Sequence, residues 1–289
     1  MKRLFLIVAV LLAGLLSYAG QRGTVGPMKV PAISDLDSCR QVVYKEVDGV
    51  ALKLYFVYPS NFTKERKYPA VVFFFGGGWT RRNITQFLPH SYELAKRGLI
   101  SVVADYRVES LHKVSPVECV CDARDAMRYI RSHHEELSVD TGRIAAAGGS
   151  AGGHLAAATA TITAYDSPGD SDPTPNALVL FNPVIDNGPE GGYAYGRVKA
   201  YYEKISPAHN IRKGVPPTLF MVGTHDKLVP VTTALRYQRA MLEAGNRCDL
   251  YLYGSQEHSF FNYKEGYNPY YYTTLSAMIA FLEQLGFMD

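Results

Sequence analysis

The sequence predicts an α/β protein: a doubly wound, mostly parallel sheet flanked by helices, with a small cap insertion. Two observations lead there. Short apolar runs alternate with longer stretches of helical periodicity, and the runs are apolar at consecutive positions, as strands buried on both faces must be. A third bounds the architecture: no internal repeat, low-complexity tract or linker divides the 289 residues. With 47% hydrophobic and 20% charged residues the composition excludes a disordered or collagen-like chain, and one large domain accounts for the length.

The chain opens with Met1-Lys2-Arg3, an apolar run from Leu4 to Leu16, then Ser17-Tyr18-Ala19, with small residues where a signal peptidase reads. Residues 1–19 are expected to be a signal peptide cut after Ala19, which makes the protein an exported one, periplasmic or extracellular. The run is shorter than the roughly 20 residues that span a bilayer, which disfavours the alternative of a retained membrane anchor. Residues 20–289 then form the catalytic domain.

From Gln41 to Tyr58 two strands with alternating apolar residues flank Asp48-Gly49, a hairpin turn signal. Six buried strands follow, at Ala70–Phe75, Ile100–Ala104, Ile144–Ala147, Leu178–Phe181, Thr218–Val222 and Leu250–Tyr253. Helices are expected at Gln86–Arg97, Pro116–His134, Ala151–Thr163, Val231–Ala244 and Tyr270–Leu285. The stretch from Asp166 to Asn176, rich in Pro, Asp and Ser, reads as a loop. The stretch from Asp186 to Tyr202, rich in Gly and Tyr, follows a strand and is placed to overhang a site as the cap.

Thirty basic against 27 acidic residues give a formal charge of +3, and loss of Lys2 and Arg3 with the signal would leave +1. No basic run or aromatic-basic patch remains, so charge nominates neither nucleic acid nor an anionic membrane as partner. Cys39, Cys119, Cys121 and Cys248 are too few for a disulfide scaffold, although an exported chain has room for one or two bridges. Cys119-Val120-Cys121 lacks a second pair at zinc-site spacing, and no metal or organic cofactor is expected.

The chemistry concentrates where a buried strand, Ile144 to Ala147, runs into Gly148-Gly149-Ser150-Ala151-Gly152 and then a helix of small residues. A serine nucleophile stands on such a tight strand-to-helix turn, and glycines two before and two after it permit the strained backbone and close packing. The amide of Ala151, at the helix N-terminus, faces the oxygen on which negative charge develops. Earlier, Phe75-Gly76-Gly77-Gly78-Trp79 puts a glycine run at the end of a strand, which lets backbone donors approach a substrate without intruding side chains. Taken alone, each of these segments also reads as a simple glycine turn; together in this order they do not.

Serine needs a histidine to take its proton and a carboxylate to orient that histidine. In a doubly wound sheet these partners sit in loops at the carboxyl ends of later strands. Asp226 follows the strand ending near Val222, and His258 follows the strand ending near Tyr253. Asp186, after an earlier strand, is the reserve acid. His154 points into packing within the nucleophile helix, His225 adjoins the acid, and His90, His112, His133, His134 and His209 lack suitable strand context.

These motifs, in this order from Pro69 to Gly286, resemble the α/β-hydrolase superfamily, specifically bacterial acetyl-esterase and lipase-like proteins with a Gly-Gly-Gly-Trp oxyanion loop, a group that includes carbohydrate esterases. The resemblance rests on the segments Phe75 to Trp79, Ala104 to Arg107, Gly148 to Gly153, Asn182 to Val184, Gly223 to Pro230, and Glu257-His258. It implies oxyanion donors at the amides of Gly77 and Gly78 together with Ala151, and an internal ion pair for Arg107. The chain departs from the family pattern at Phe75, where a histidine commonly precedes the glycines. The motifs and the resemblance together point to a serine carboxylic-ester hydrolase working through an acyl-enzyme on esters of a small molecule or a carbohydrate. The absence of a long helical segment before the glycine loop and the modest Gly- and Tyr-rich insertion suit short, acetyl-like acyl groups, and Tyr193, Tyr195, Tyr201 and Tyr202 near the mouth would suit a sugar ring. A serine peptidase of prolyl-oligopeptidase type and a catalytically silent binding protein on the same fold are the alternatives.

Overall fold

A computed structural model describes residues 36–167 and 170–288. Residues 1–19, expected to be a signal peptide, lie outside the described residues. Among those described, no helix is long and apolar enough to cross a membrane.

The first hairpin joins β1 (Arg40–Val47) to antiparallel β2 (Val50–Val57). Asp48 and Gly49 both take positive φ, 52° and 75°, the backbone that a two-residue turn between right-twisted strands requires. Six strands follow: β3 (Tyr68–Phe74), β4 (Ile100–Ala104), β5 (Val139–Gly149), β6 (Ala177–Phe181), β7 (Thr218–Gly223) and β8 (Cys248–Tyr253). The sheet order is β1-β2-β4-β3-β5-β6-β7-β8. β2 meets β4 antiparallel, and every later pairing is parallel.

Side-chain alternation divides two apolar layers between the two faces of this sheet. Val72 and Phe74 of β3, Ile144 and Ala146 of β5, and Leu178 and Leu180 of β6 belong to one layer. Val71 and Phe73, Ala145 and Ala147, and Val179 and Phe181 belong to the other. Five helices cover these faces: α1 (Leu88–Ala95), α2 (Pro116–Ser132), α3 (Ala151–Thr161), α4 (Val231–Glu243) and α5 (Pro269–Gln284). α2, α3 and α4 bury Val120, Leu155 and Tyr237 in the first layer, whereas α1 and α5 bury Leu94, Met278 and Phe281 in the second. α2 starts at a capping box in which Ser115 and Glu118 satisfy each other's end of the first turn.

Two boundaries differ from the sequence reading for identifiable reasons. β5 begins five residues early, at Val139, because Tyr68 pairs with Val139 beyond the apolar part of the strand, where Asp140 to Arg143 are only partly covered. β8 is not buried on both faces. It is the last strand in the order, and Tyr251 and Leu252 are each 46% exposed. Cys119, Cys121 and Cys248 are free thiols. Burial pushes the Cys248 thiol up to about 12 and raises that of Cys119 as well.

A buried cluster of charges lies where the hairpin meets α2. Arg107 forks onto Asp122 through Nε at 2.9 Å and Nη2 at 3.0 Å, and Lys45 reaches the same carboxylate at 2.7 Å. The ion pair expected of Arg107 is therefore present, and Asp122 is wholly buried. Asp122→Ala would take from Arg107 and Lys45 their one fully buried acid, leaving Arg107 only Asp48 at 3.1 Å and Lys45 only Asp125 at 2.7 Å, and is expected to cost about 3 kcal/mol. Urea unfolding of the two proteins measures this; an unchanged midpoint would mean that the pair contributes nothing net.

Candidate active site

Ser150 occupies the turn between the last residue of β5 and the first of α3, at φ 54° and ψ −119°. A non-glycine residue pays for such a conformation only where its surroundings hold it. Here its N–H donates to Phe181 O at 2.9 Å, while its own carbonyl accepts from His154 N–H at 3.0 Å and Val184 N–H at 3.2 Å. The flanking glycines are required by space. A Cβ on Gly148 would lie 2.3 Å from Gly152 O, and one on Gly152 would lie 2.0 Å from Phe74 O. The serine thus stands at the carboxyl edge of the sheet because helix and strand backbones touch beneath it.

Asp226 and His258 reach Ser150 from the loops after β7 and β8. Those loops lie backbone to backbone: Thr224 N–H donates to Tyr253 O and His225 N–H to Gln256 O, both at 2.9 Å. A Cβ on Gly223 would be 2.1 Å from Gln256 O, so only glycine admits the approach. Asp226 Oδ1 accepts from the amides of Leu228 and Val229 at 2.9 Å each, and its Oδ2 lies 2.7 Å from His258 Nδ1. His258 Nε2 lies 2.8 Å from Ser150 Oγ. The Asp226 side chain is fully buried and that of His258 is 17% exposed, so one face of the imidazole row is dry and the other opens to a cleft.

Asp186, the reserve acid, is engaged elsewhere. Its carboxylate accepts from Gly188 N–H and faces Arg236 at 3.2 Å and His209 at 3.9 Å. The remaining histidines also have other contacts. His154 donates Nε2–H to Ile205 O at 2.8 Å, and burial lowers its pKa to about 4; burial lowers that of His90 to about 3. His112 Nδ1 accepts from Val108 N–H, and His133 stacks on Tyr129.

The glycine loop lies across the cleft from His258. Gly77 and Gly78 have φ of +147° and +65°, and a Cβ on Gly77 would collide with Arg81 O at 2.2 Å. Gly77 O accepts from the amides of Thr80 and Arg81, while no hydrogen bond among the described residues uses the Gly77 or Gly78 amide as donor. Phe75, in place of the family's histidine, is buried and stacked on Tyr106 at 4.1 Å, and the Tyr106 hydroxyl donates to Phe75 O at 2.7 Å. Aromatic packing therefore anchors the start of the loop.

Two residues that complete this arrangement, Gln86 and Asn262, carry no signature in the sequence, and Asn182 stands out there only as part of a resembling segment. Gln86 Oε1 accepts from Gly76 N–H at 2.6 Å, and its Nε2 donates to Asn262 Oδ1 at 2.9 Å, which ties the glycine loop to the loop bearing His258. Asn182, at the end of β6, accepts from Ser259 N–H and sets its amide 3.3 Å from His258 Nε2. The cleft, about 620 Å³ in volume, is also lined by Tyr193 and Arg197 of the cap and by Leu228. Tyr193 is the one cap tyrosine on it. Tyr195 and Tyr202 pack edge-on against each other, and Tyr201 lines a neighbouring groove, so the expected group of four tyrosines at the mouth is not assembled. Among the described residues no cluster of three or more His, Cys, Asp or Glu is placed to hold a metal ion.

A carboxylate, an imidazole and a hydroxyl in hydrogen-bonded sequence, on this sheet, define a class, and the chain belongs to the α/β-hydrolase superfamily. Within it the chain groups with the esterases. Its structure is similar to that of an esterase from Thermogutta terrifontis, Est2, solved with propionate bound, with 40% identity, a TM-score of 0.83, and coverage of 88% of this chain and 97% of that one. Residues 55–187 match the family model BD-FAE. Curated relatives include an acetylxylan esterase of Xylanibacter ruminicola, 28% identical over 64% of this chain, and the esterase LipC of Mycobacterium tuberculosis, 28% identical over 57%. The chain spans 39% and 46% of those two proteins' lengths.

The bridge through Gln86 yields a test. Gln86→Leu is expected to lower kcat on p-nitrophenyl acetate roughly tenfold or more, because Gly76 and its neighbours lose their fixed position. Thermal melting run alongside separates this from unfolding, and unchanged kcat in a folded variant would remove Gln86 from any positioning role.

Proposed function

We propose that this chain is a serine carboxylic-ester hydrolase that acts through an acyl-enzyme on short-chain esters. The observation that carries the reading is the continuous row Asp226 Oδ2, His258 Nδ1, His258 Nε2, Ser150 Oγ, with separations of 2.7 and 2.8 Å. In this reading Ser150 Oγ attacks the ester carbonyl as His258 Nε2 takes its proton, and Asp226 holds Nδ1–H and stabilises the imidazolium. The amides of Gly77, Gly78 and Ala151 receive the developing oxyanion, helped by the N-terminus of α3. His258 returns its proton to the departing alcohol, and water then releases the acid by the same route in reverse.

Support for a short acyl group comes from the cleft and from a relative. Among the described residues Leu228 is the only aliphatic side chain lining the cleft, so a long chain would find little apolar wall. The Thermogutta esterase has been solved with propionate and with butyrate bound. A carbohydrate ester as substrate is consistent with the relative named an acetylxylan esterase. The same Thermogutta enzyme has been solved phosphorylated by paraoxon, which makes that reagent a natural probe for an activated nucleophile here.

Ser150→Ala is expected to abolish labelling by paraoxon and to lower ester hydrolysis by about a thousandfold or more while the protein stays folded. Asp226→Asn should cost far more activity than Asp186→Asn. Near-normal turnover by the serine variant would remove Ser150 from the mechanism, and the reverse ranking of the two acids would reinstate Asp186. Across a series of p-nitrophenyl esters, kcat/KM should be highest from acetyl to butyryl and fall steeply beyond about eight carbons, where methylenes worth about 0.8 kcal/mol each lack a surface to bury against. A maximum at ten carbons or longer would favour a lipase.

A further inference from the structure

Resting on the esterase reading, we infer that the cleft prefers esters whose alcohol or acyl part carries a carboxylate, and that Arg81 is the residue that selects them. Three guanidiniums line the cleft beside Ser150, those of Arg81, Arg82 and Arg197, and no Asp or Glu lines it among the described residues. Two of the three are already held. Arg82 forks onto Asp105 through Nε at 2.9 Å and Nη2 at 2.7 Å. Arg197 gives one arm to Glu109 at 2.9 Å and the other to Gly78 O at 3.2 Å, and so serves as a strut between the cap and the glycine loop.

Arg81 differs from both. It is exposed, and among the described residues no acid lies within ion-pair distance of it and no hydrogen bond uses its side chain. Its backbone is nonetheless anchored, because its N–H donates to Gly77 O at 3.0 Å. Arg81 thus lines the cleft from the loop that carries two of the proposed oxyanion donors. The carboxylate of Asp226 does not neutralise this charge at the cleft surface, since it is buried behind His258 and turned toward the imidazole. Past Arg197, the adjoining groove carries Lys113, which has no acid at ion-pair distance among the described residues, and Glu109, the one acid among the described residues lining that groove, is held by Arg197.

A free, planar fork of donors on a rigid loop is suited to a carboxylate, and the neighbouring cations raise the local concentration of an anionic substrate. A neutral ester would leave Arg81 to water and gain nothing from it. The selection therefore acts on kcat/KM ratios between charged and uncharged esters of the same shape rather than on the chemistry at Ser150.

Two matched pairs test this and separate the possible positions of the charge. For the alcohol side, 3-acetoxybenzoate is compared with 3-acetoxybenzamide; for the acyl side, ethyl hydrogen adipate is compared with ethyl adipamate. In at least one pair the anionic member should have the higher kcat/KM, and the pair that shows it identifies which half of the substrate faces Arg81. Arg81→Gln should lower that anion-to-neutral ratio about fivefold, the size an exposed charge pair supports, and Arg81→Glu should bring it below one. Using the ratio within each enzyme cancels any loss common to both substrates. Raising the salt concentration should lower the wild-type ratio and leave that of the Gln variant nearly unchanged. Hydrolysis of both neutral esters without preference for either anion, or a ratio that Arg81→Gln leaves intact, overturns the inference while the esterase reading stands. Hydrolysis of none of the four esters overturns both.

Discussion

The active site depends on one close approach, that of the N-terminal turn of α3 to the end of β3. Gly152 lies so near Phe74 O that a single added carbon would stand 2.0 Å from it, and Gly148 is as tightly placed against Gly152. Because neither position tolerates a side chain, the strand-to-helix turn between them is forced above the carboxyl edge of the sheet. Ser150 sits on that turn with a positive φ that its hydrogen bonds to Phe181, His154 and Val184 maintain. The strain is local, and it is offset by the packing of two rigid elements rather than by any contact the serine side chain makes.

Everything that approaches Ser150 is positioned against the same sheet edge. The parallel register of β7 and β8 ends both strands together, at Gly223 and Tyr253, so the loops beyond them emerge side by side. Asp226 and His258 meet for that reason, although 32 residues separate them. The glycine loop arrives from β3, the neighbour of β5, and Gln86 joins it to the histidine loop across 176 residues of sequence. A bridge of neutral amides suits this place. It fixes geometry through directed hydrogen bonds without adding a charge that would compete with the oxyanion for the backbone donors.

Charge is handled differently in the body of the protein and at the cleft. Inside, Arg107 and Lys45 converge on Asp122 so that no buried charge is left alone. At the cleft, Asp105 and Glu109 neutralise Arg82 and Arg197, but no acid among the described residues neutralises Arg81. The contrast gives the surface beside Ser150 a positive excess in a chain whose overall charge is close to balanced. Overall charge therefore says little about the site, because it sums over a surface on which most charges are paired.

What the sequence determined by itself was whatever depends on residues adjacent in the chain. Unbroken apolar runs mark β3, β6, β7 and the inner part of β5, the Asp48-Gly49 pair supplies the two positive φ values of the first turn, and the run from Gly148 to Gly152 encodes its own elbow. The placement of Asp226 and His258 was also legible, because a parallel sheet delivers successive loops to one edge. The tertiary structure decided the rest. That Asp186 turns to Arg236 and His209, that Phe75 stacks on Tyr106, and that only Tyr193 of the cap tyrosines reaches the cleft are facts of packing. So is the choice of Gln86, Asn262 and Asn182 from among many similar amides. Each of these contacts joins residues far apart in the chain, and a hydrogen bond or stacked ring constrains the distance between two side chains without leaving any periodic mark in the sequence around either one.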